Sequence, residues 1–226
     1  MVLGRTTLYE DGCLRKGRAF TMRDSYRDEL NATTELIVTV AGLVRTAVQD
    51  ATTALVTADL TVAERVISGD ARIDELTKEI EQRSFQLLAR QAPVAGELRT
   101  VVAVLRMSYS LDRMGDLAAH IAKIARLRYP ELAAPEPVAD QIKQMAETAD
   151  SMIATAITTL ENRDAEAAAG LATADSKMDE LRSDQFHLLL SDDWEYGVEK
   201  AVDTALLGRY YERIADHAVA MGARTI

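Results

Sequence analysis

Apolar residues recur at intervals of three and four almost without a break from Arg23 onward, which is the signature of amphipathic helices packed on one side. A first helix is predicted over about Ser25–Thr57, with Leu30, Leu36, Ile37, Val40, Leu43, Val44 and Val48 on its inner side. Thr61-Val62-Ala63-Glu64 reads as a capping box, so a second helix follows and runs to about Arg90. Gln91-Ala92-Pro93-Val94-Ala95-Gly96 breaks it, because proline and glycine together punctuate helices. The third helix reaches about Arg128, and Tyr129–Pro137 then gathers three of the four prolines, the best candidate for a linker. Three more helices are expected at about Val138–Leu160, Ala165–Leu190 and Val198–Ala223, with Ser191–Gly197 as the last turn.

The two halves repeat one another. Asp59, Asp70, Asp74, Glu75 and Leu76 recur 105 positions on as Asp164, Asp175, Asp179, Glu180 and Leu181. Phe85, Leu87 and Leu88 recur at a shift of 101 as Phe186, Leu188 and Leu189, and Asp112-Arg113-Met114-Gly115-Asp116 recurs at 100 as Glu212-Arg213-Ile214-Ala215-Asp216. The first change of shift drops four residues, close to one helical turn of about 3.6, which keeps the inner face inward. The expected fold is therefore all-α: two pseudo-symmetric antiparallel three-helix bundles, residues 23–128 and 138–226, joined by a proline-rich linker over 129–137.

Each half carries two carboxylate pairs at i, i+4: Asp70/Asp74 and Asp112/Asp116, then Asp175/Asp179 and Glu212/Asp216. Like charges so placed repel by roughly 0.2–0.5 kcal/mol per pair. Folding the second and third helices into a hairpin about Pro93 puts Asp74 level with Asp112 and Asp70 level with Asp116. In the second half Asp179/Glu212 and Asp175/Asp216 share one midpoint, between Glu195 and Tyr196. Four carboxylates at one level favour a hard cation, with Fe, Zn, Mg or Mn as candidates. Against this, Met107, Leu111, Met114, Ala118 and Ile121 form the apolar stripe of the third helix, and Asp112 and Asp116 lie nearly opposite it. Any site is thus expected to be outward-facing and open to water, and plain solvated surface is the competing reading. His120, one turn beyond Asp116, reads as an ordinary histidine before a ligand, and Trp194 with Tyr196 as a small satellite core before an interaction tip.

Composition narrows the function. The chain of 226 residues is 48% apolar but only 5% aromatic, which suits helices packed through Ala, Leu, Val and Ile. A net charge of −10 disfavours phosphate backbones and anionic lipid, so no nucleic acid and no membrane insertion are expected. The single cysteine, Cys13, cannot form an internal disulfide and suits a reducing, cytoplasmic setting. Residues 1–22 are basic and lack both helical periodicity and an apolar signal core; they read as a mobile extension, or as a start assigned upstream of Met22. No nucleophile elbow, phosphate-binding loop, Zn-type Cys/His spacing or Glu-x-x-His pair occurs, so no catalytic residue is expected.

Leu111-Asp112-Arg113-Met114-Gly115-Asp116, Tyr211-Glu212-Arg213-Ile214-Ala215-Asp216-His217 and Gln91-Ala92-Pro93-Val94-Ala95-Gly96-Glu97-Leu98-Arg99 together resemble the PhoU family of phosphate-specific transport accessory proteins. The resemblance covers about Met22–Arg224. It implies a cytoplasmic, non-enzymatic, homodimeric regulator that restrains the phosphate-starvation response in high phosphate. Its implied partners are a sensor histidine kinase and the ATPase subunit of the phosphate ABC importer. Some family members hold multinuclear metal clusters on such acidic pairs, which would fall here on Asp70, Asp74, Asp112, Asp116, Asp175, Asp179, Glu212 and Asp216. Asp112 departs from the pattern, in which Glu is common at that place. A surface metal-binding or metal-buffering helical protein is the alternative.

Overall fold

The computed structural model describes residues 22–90, 95–162 and 164–225. Six helices follow one another: α1 (Met22–Thr57), α2 (Leu60–Arg90), α3 (Ala95–Arg128), α4 (Glu136–Asn162), α5 (Ala165–Leu189) and α6 (Gly197–Thr225). There is no strand among the described residues. The leader and the Gln91–Val94 break lie outside those residues. The helices start and stop within three residues of the periodicity's reading, and α1 begins three earlier, at Met22.

The start of α2 differs in its chemistry. Asp59, not Thr61, caps it: Asp59 Oδ1 accepts from the Val62 amide at 3.0 Å. Its repeat counterpart Asp164 caps α5, accepting from the Glu166 and Ala167 amides at 2.9 and 3.1 Å. The recurrence of these two aspartates is thus a recurrence of helix caps, which neutralise orphan amides and complement the positive end of the helix.

α1, α2 and α3 pack on one another, as do α4, α5 and α6, and the two triplets meet through α1 against α4 and α3 against α6. Like elements therefore face each other, with α2 and α5 outermost. One apolar core runs through all six helices, from Ile37, Val44 and Leu55 through Ile80, Met107, Met114 and Ile121 to Met145, Met152, Met178 and Ile214. A smaller cluster of Tyr26, Leu30, Leu87 and Val101 closes the far end of the first triplet. Leu43, placed inward by periodicity, is 40% exposed, while Ala41 beside it is buried. A 36-residue helix turns its seam gradually, so a single straight stripe misassigns its edges.

Polar contacts tie the triplets together. Tyr211 is fully buried, with its hydroxyl 2.8 Å from Thr52 Oγ1 on α1. Thr52 in turn donates to the Val48 carbonyl at 2.8 Å, which leaves Tyr211 as the donor. Tyr211→Phe is expected to cost about 0.5–1.5 kcal/mol in urea titrations, because Thr52 keeps its own acceptor and only one bond is lost. Arg45 grips Asp150 with two bonds, Nε to Oδ1 at 2.7 Å and Nη2 to Oδ2 at 2.8 Å, and Gln49 adds a third at 2.8 Å. The Arg45 hydrogen bonds hold the Asp150 carboxyl below the ordinary carboxylate range despite partial burial. A depressed folded-state pKa adds stability that is complete above about pH 4 and fades as pH falls through the lowered value. Asp150→Asn should therefore cost about 1 kcal/mol at pH 7 for this bidentate, half-exposed pair, and the difference from wild type should shrink in urea titrations below about pH 4.

Candidate functional site: two acidic clusters on the hairpins

α2 lies across α3 at Gly115. A Cβ at that position would come within 3.1 Å of both Asp70 Oδ1 and Ile73 Cγ2. The missing side chain lets the α2 carboxylate approach the α3 backbone, and Asp70 Oδ1 is there buried without a hydrogen-bond partner. Desolvation, then repulsion from Asp116 and Asp74, pushes the Asp70 pKa up. Asp112 is raised too, first by burial and further by Asp74 and Asp116, while a bond from Thr77 works in the opposite direction. Thr77 Oγ1 lies 3.1 Å from both Asp112 Oδ1 and the Asp74 carbonyl. The hairpin therefore brings Asp74 to Asp112 and Asp70 to Asp116, at the levels the spacing from Pro93 indicated.

The direction of these side chains requires a correction. Asp70, Asp74, Asp112 and Asp116 are half-buried along the α2–α3 groove instead of pointing out to solvent. The cause is that α3 touches α1, α2 and α6 at once. It buries Ser108, Gly115, Ala119 and Ala122 as well as its main stripe, which leaves little outward face. In the second repeat Asp179 and Asp216 are exposed, whereas Asp175 and Glu212 are half-buried. Burial, then Asp179, Asp216 and Glu212, pushes Asp175 up.

Counter-charges differ between the clusters. In the first, Arg113 reaches Asp116 at 2.7 Å and Lys78 lies 3.8 Å from Asp74, both from exposed positions. In the second, Arg182 Nε donates to Glu212 Oε2 at 3.3 Å, Arg209 Nη1 donates to Glu212 Oε1 at 2.7 Å, and Arg213 lies 3.7 Å from Asp216. Arg182 also donates to Gln185 Oε1 and lies over the Phe186 ring, 4.0 Å from its centre. Thr77, Arg182, Gln185 and Arg209 did not stand out in the sequence; the signal for them lay where the two repeats differ.

The carboxylates of each groove are oxygen donors of the kind a hard cation favours, and in the first cluster Asp70 Oδ1 lies buried and unpartnered beside Gly115. Among the described residues, no three His, Cys, Asp or Glu side chains already stand close enough to enclose a metal ion, so binding would have to draw them inward. His120 is exposed, its Nδ1 lies 2.7 Å from the Asp116 carbonyl, and its ring meets that of Tyr210 on α6 at a 39° tilt with centroids 5.5 Å apart. Burial, reinforced by Arg213, Arg113 and Arg224, pushes His217 down to about 4, so it is neutral at physiological pH. Trp194 packs on the main core, donates to the Gly197 carbonyl at 2.9 Å and meets the exposed Tyr196 edge-on, so the two do not form a separate satellite core.

The PhoU domain model matches residues 37–125 and again 142–225, one copy on each helix triplet. The chain belongs to the PhoU family. It is 42% identical over 205 residues to the phosphate-specific transport system accessory protein PhoU homolog 2 of Mycobacterium tuberculosis, covering 91% of this chain and 96% of that protein. The corresponding PhoU homolog of Caulobacter vibrioides is 30% identical over 198 residues, covering 86% and 85%. The crystal structure of PhoU from Pseudomonas aeruginosa superposes with a TM-score of 0.84 at 25% identity, over 89% of this chain and 97% of that one. The phosphate transport system regulatory protein PhoU from Streptococcus pneumoniae gives 0.80 at 25% identity, over 88% and 94%. Both PhoU motif copies sit on α3 and α6, the helices that carry Asp112, Asp116, Glu212 and Asp216. None of the six helices is long and apolar enough to cross a membrane among the described residues.

Proposed function

We propose that this PhoU-family chain is a non-catalytic regulator of phosphate-specific transport. In this reading it acts in the cytoplasm as an adaptor between the ATPase subunit of the phosphate importer and a sensor histidine kinase, and represses the phosphate-starvation response when phosphate is plentiful. Near-full-length similarity to accessory proteins of phosphate-specific transport systems is the observation that carries this reading. The surface supports it as well. Phe186 and Leu190 on and just beyond α5, with Val198, Val202 and Leu206 along α6, are exposed apolar residues at the second hairpin, a kind of surface that marks protein contacts. Tagged protein purified from host cells grown in high and in low phosphate should retain both partners, in proportions that change with phosphate. Recovery of neither under either condition would remove the adaptor role.

A second reading, that the acidic grooves bind a divalent or iron-type cation, is favoured by the unpartnered Asp70 oxygen at Gly115. Asp70, Asp74, Asp112 and Asp116 would hold it in the first repeat, and Asp175, Asp179, Glu212 and Asp216 are their counterparts in the second. The cation would supply the positive charge these carboxylates lack and would lock α2 to α3. The two readings are compatible, with the cation stiffening the adaptor's hairpins.

A further inference from the structure

We propose that the groove where the start of α3 meets the ends of α4 and α6 docks a partner protein, through a short acidic segment that carries apolar side chains. This rests on the adaptor reading above and deepens it, by naming the face and the chemistry of the contact.

The groove holds about 660 Å³ between Thr34 on α1, the first turns of α3, Leu160 on α4 and Arg224 on α6. Arg99, Arg106 and Arg224 line it, and among the described residues no aspartate or glutamate does. The chain as a whole is the reverse, with 36 acidic residues against 26 basic ones. Arg99 and Arg106 are exposed, and neither guanidinium has an ion-pair or hydrogen-bond partner among the described residues. Arg224 is held in place, donating to Ser110 Oγ at 3.3 Å and to the Ala220 carbonyl at 3.0 Å, and it meets no carboxylate there. The adjoining cavity differs: Glu35 and Glu97 line it with Arg27, and the chain supplies its own pair, Arg27 with Glu97 at 3.6 Å.

Apolar surface separates the charges. Arg99 and Arg106 stand two helical turns apart, about 10.5 Å along α3. Leu98 and Val102 beside them are exposed, and Met107 and Leu160 line the same groove. Inorganic phosphate would meet the arginines and leave that apolar strip in water. An extended polyanion or an anionic bilayer would meet the net charge of −10 over the whole surface. A short segment with carboxylates spaced to match the arginines, and apolar side chains between them, covers both kinds of surface.

The second repeat shows how such a position is satisfied. At the shift of 100 that relates Asp112 to Glu212, Arg99 becomes Glu199 and Ala103 becomes Asp203. Arg128, at the end of α3, donates to both Glu199 and Asp203, so an opposite charge from the other triplet fills that place. The first repeat reverses the sign at Arg99, and no acid of the described residues meets it. Arg106 becomes Leu206, so the repeat is built without either arginine.

The test measures binding of the full chain to the purified ATPase subunit of the host's importer and to the cytoplasmic part of its sensor kinase. Arg99→Glu with Arg106→Glu is expected to weaken binding to at least one of them tenfold or more, because like charges then face each other. Arg126→Glu with Lys177→Glu, the same charge change at exposed positions elsewhere, should leave that binding within twofold. Arg99→Lys with Arg106→Lys should retain most of it, which separates loss of charge from misfolding. Inorganic phosphate should compete no better than chloride at equal ionic strength. Equal effects of the two glutamate pairs, or selective displacement by phosphate, would overturn the groove while leaving the adaptor reading intact. Binding of neither protein by the wild-type chain would overturn both.

Discussion

Ile121→Ala is expected to lose about 2–5 kcal/mol of stability, a large share of the roughly 5–15 kcal/mol that holds a domain folded. Ile121 is fully buried on α3, the helix that touches α1, α2 and α6, so surrounding side chains cannot collapse into the space from one side alone. Because the core is continuous across all six helices, the loss should be felt by both repeats at once. Thermal melts followed by circular dichroism should show one cooperative transition shifted downward. A variant in which only half of the helical signal moves would mean that the triplets are independent, contrary to the shared core.

The second large effect concerns the first acidic cluster. Divalent cation at about 100 times its dissociation constant should raise wild-type stability by about 2.7 kcal/mol, because only the folded hairpin gathers the four carboxylates. Without cation the cluster is a liability. The Asp70 pKa is raised by burial, Asp116 and Asp74, so the folded state binds a proton more readily than the unfolded chain. Such a group costs stability at neutral pH, and the cost disappears as pH falls through the raised value toward about 4. Asp70→Asn in chelator should consequently stabilise the protein at pH 7 by up to about 1 kcal/mol, the sum of two or three like-charge contacts. The gain should shrink on acidification and turn into a deficit once cation is supplied. Urea titrations at pH 7 and pH 5, with and without Mn2+, measure all three. A variant that is less stable than wild type in chelator at pH 7 would contradict the unpaired state of Asp70.

The helices and the repeat could be read from sequence because both rest on local periodicity, and α2 ending at Arg90 and α3 at Arg128 follow from the prolines beyond them. The level pairing of Asp74 with Asp112 and of Asp70 with Asp116 was legible too, since an antiparallel hairpin needs only residue counts from its turn. The direction of those carboxylates was not. A single helical stripe describes a helix with one neighbour, and α3 has three, so positions opposite the stripe meet α2 instead of water. The capping box placed the start of α2 too late: the helix begins at Leu60, which makes Asp59 the cap and puts Thr61 inside the first turn. Arg182 escaped notice because comparison of the repeats rewards positions that agree.

The role proposed for this chain is to restrain the phosphate-starvation response as an accessory of phosphate-specific transport. Its most direct test is phosphate-responsive transcription in the host with the gene deleted, then restored as wild type. Deletion should release transcription in high phosphate, and the wild-type gene should restore repression. Repression that is unchanged by the deletion would contradict the account.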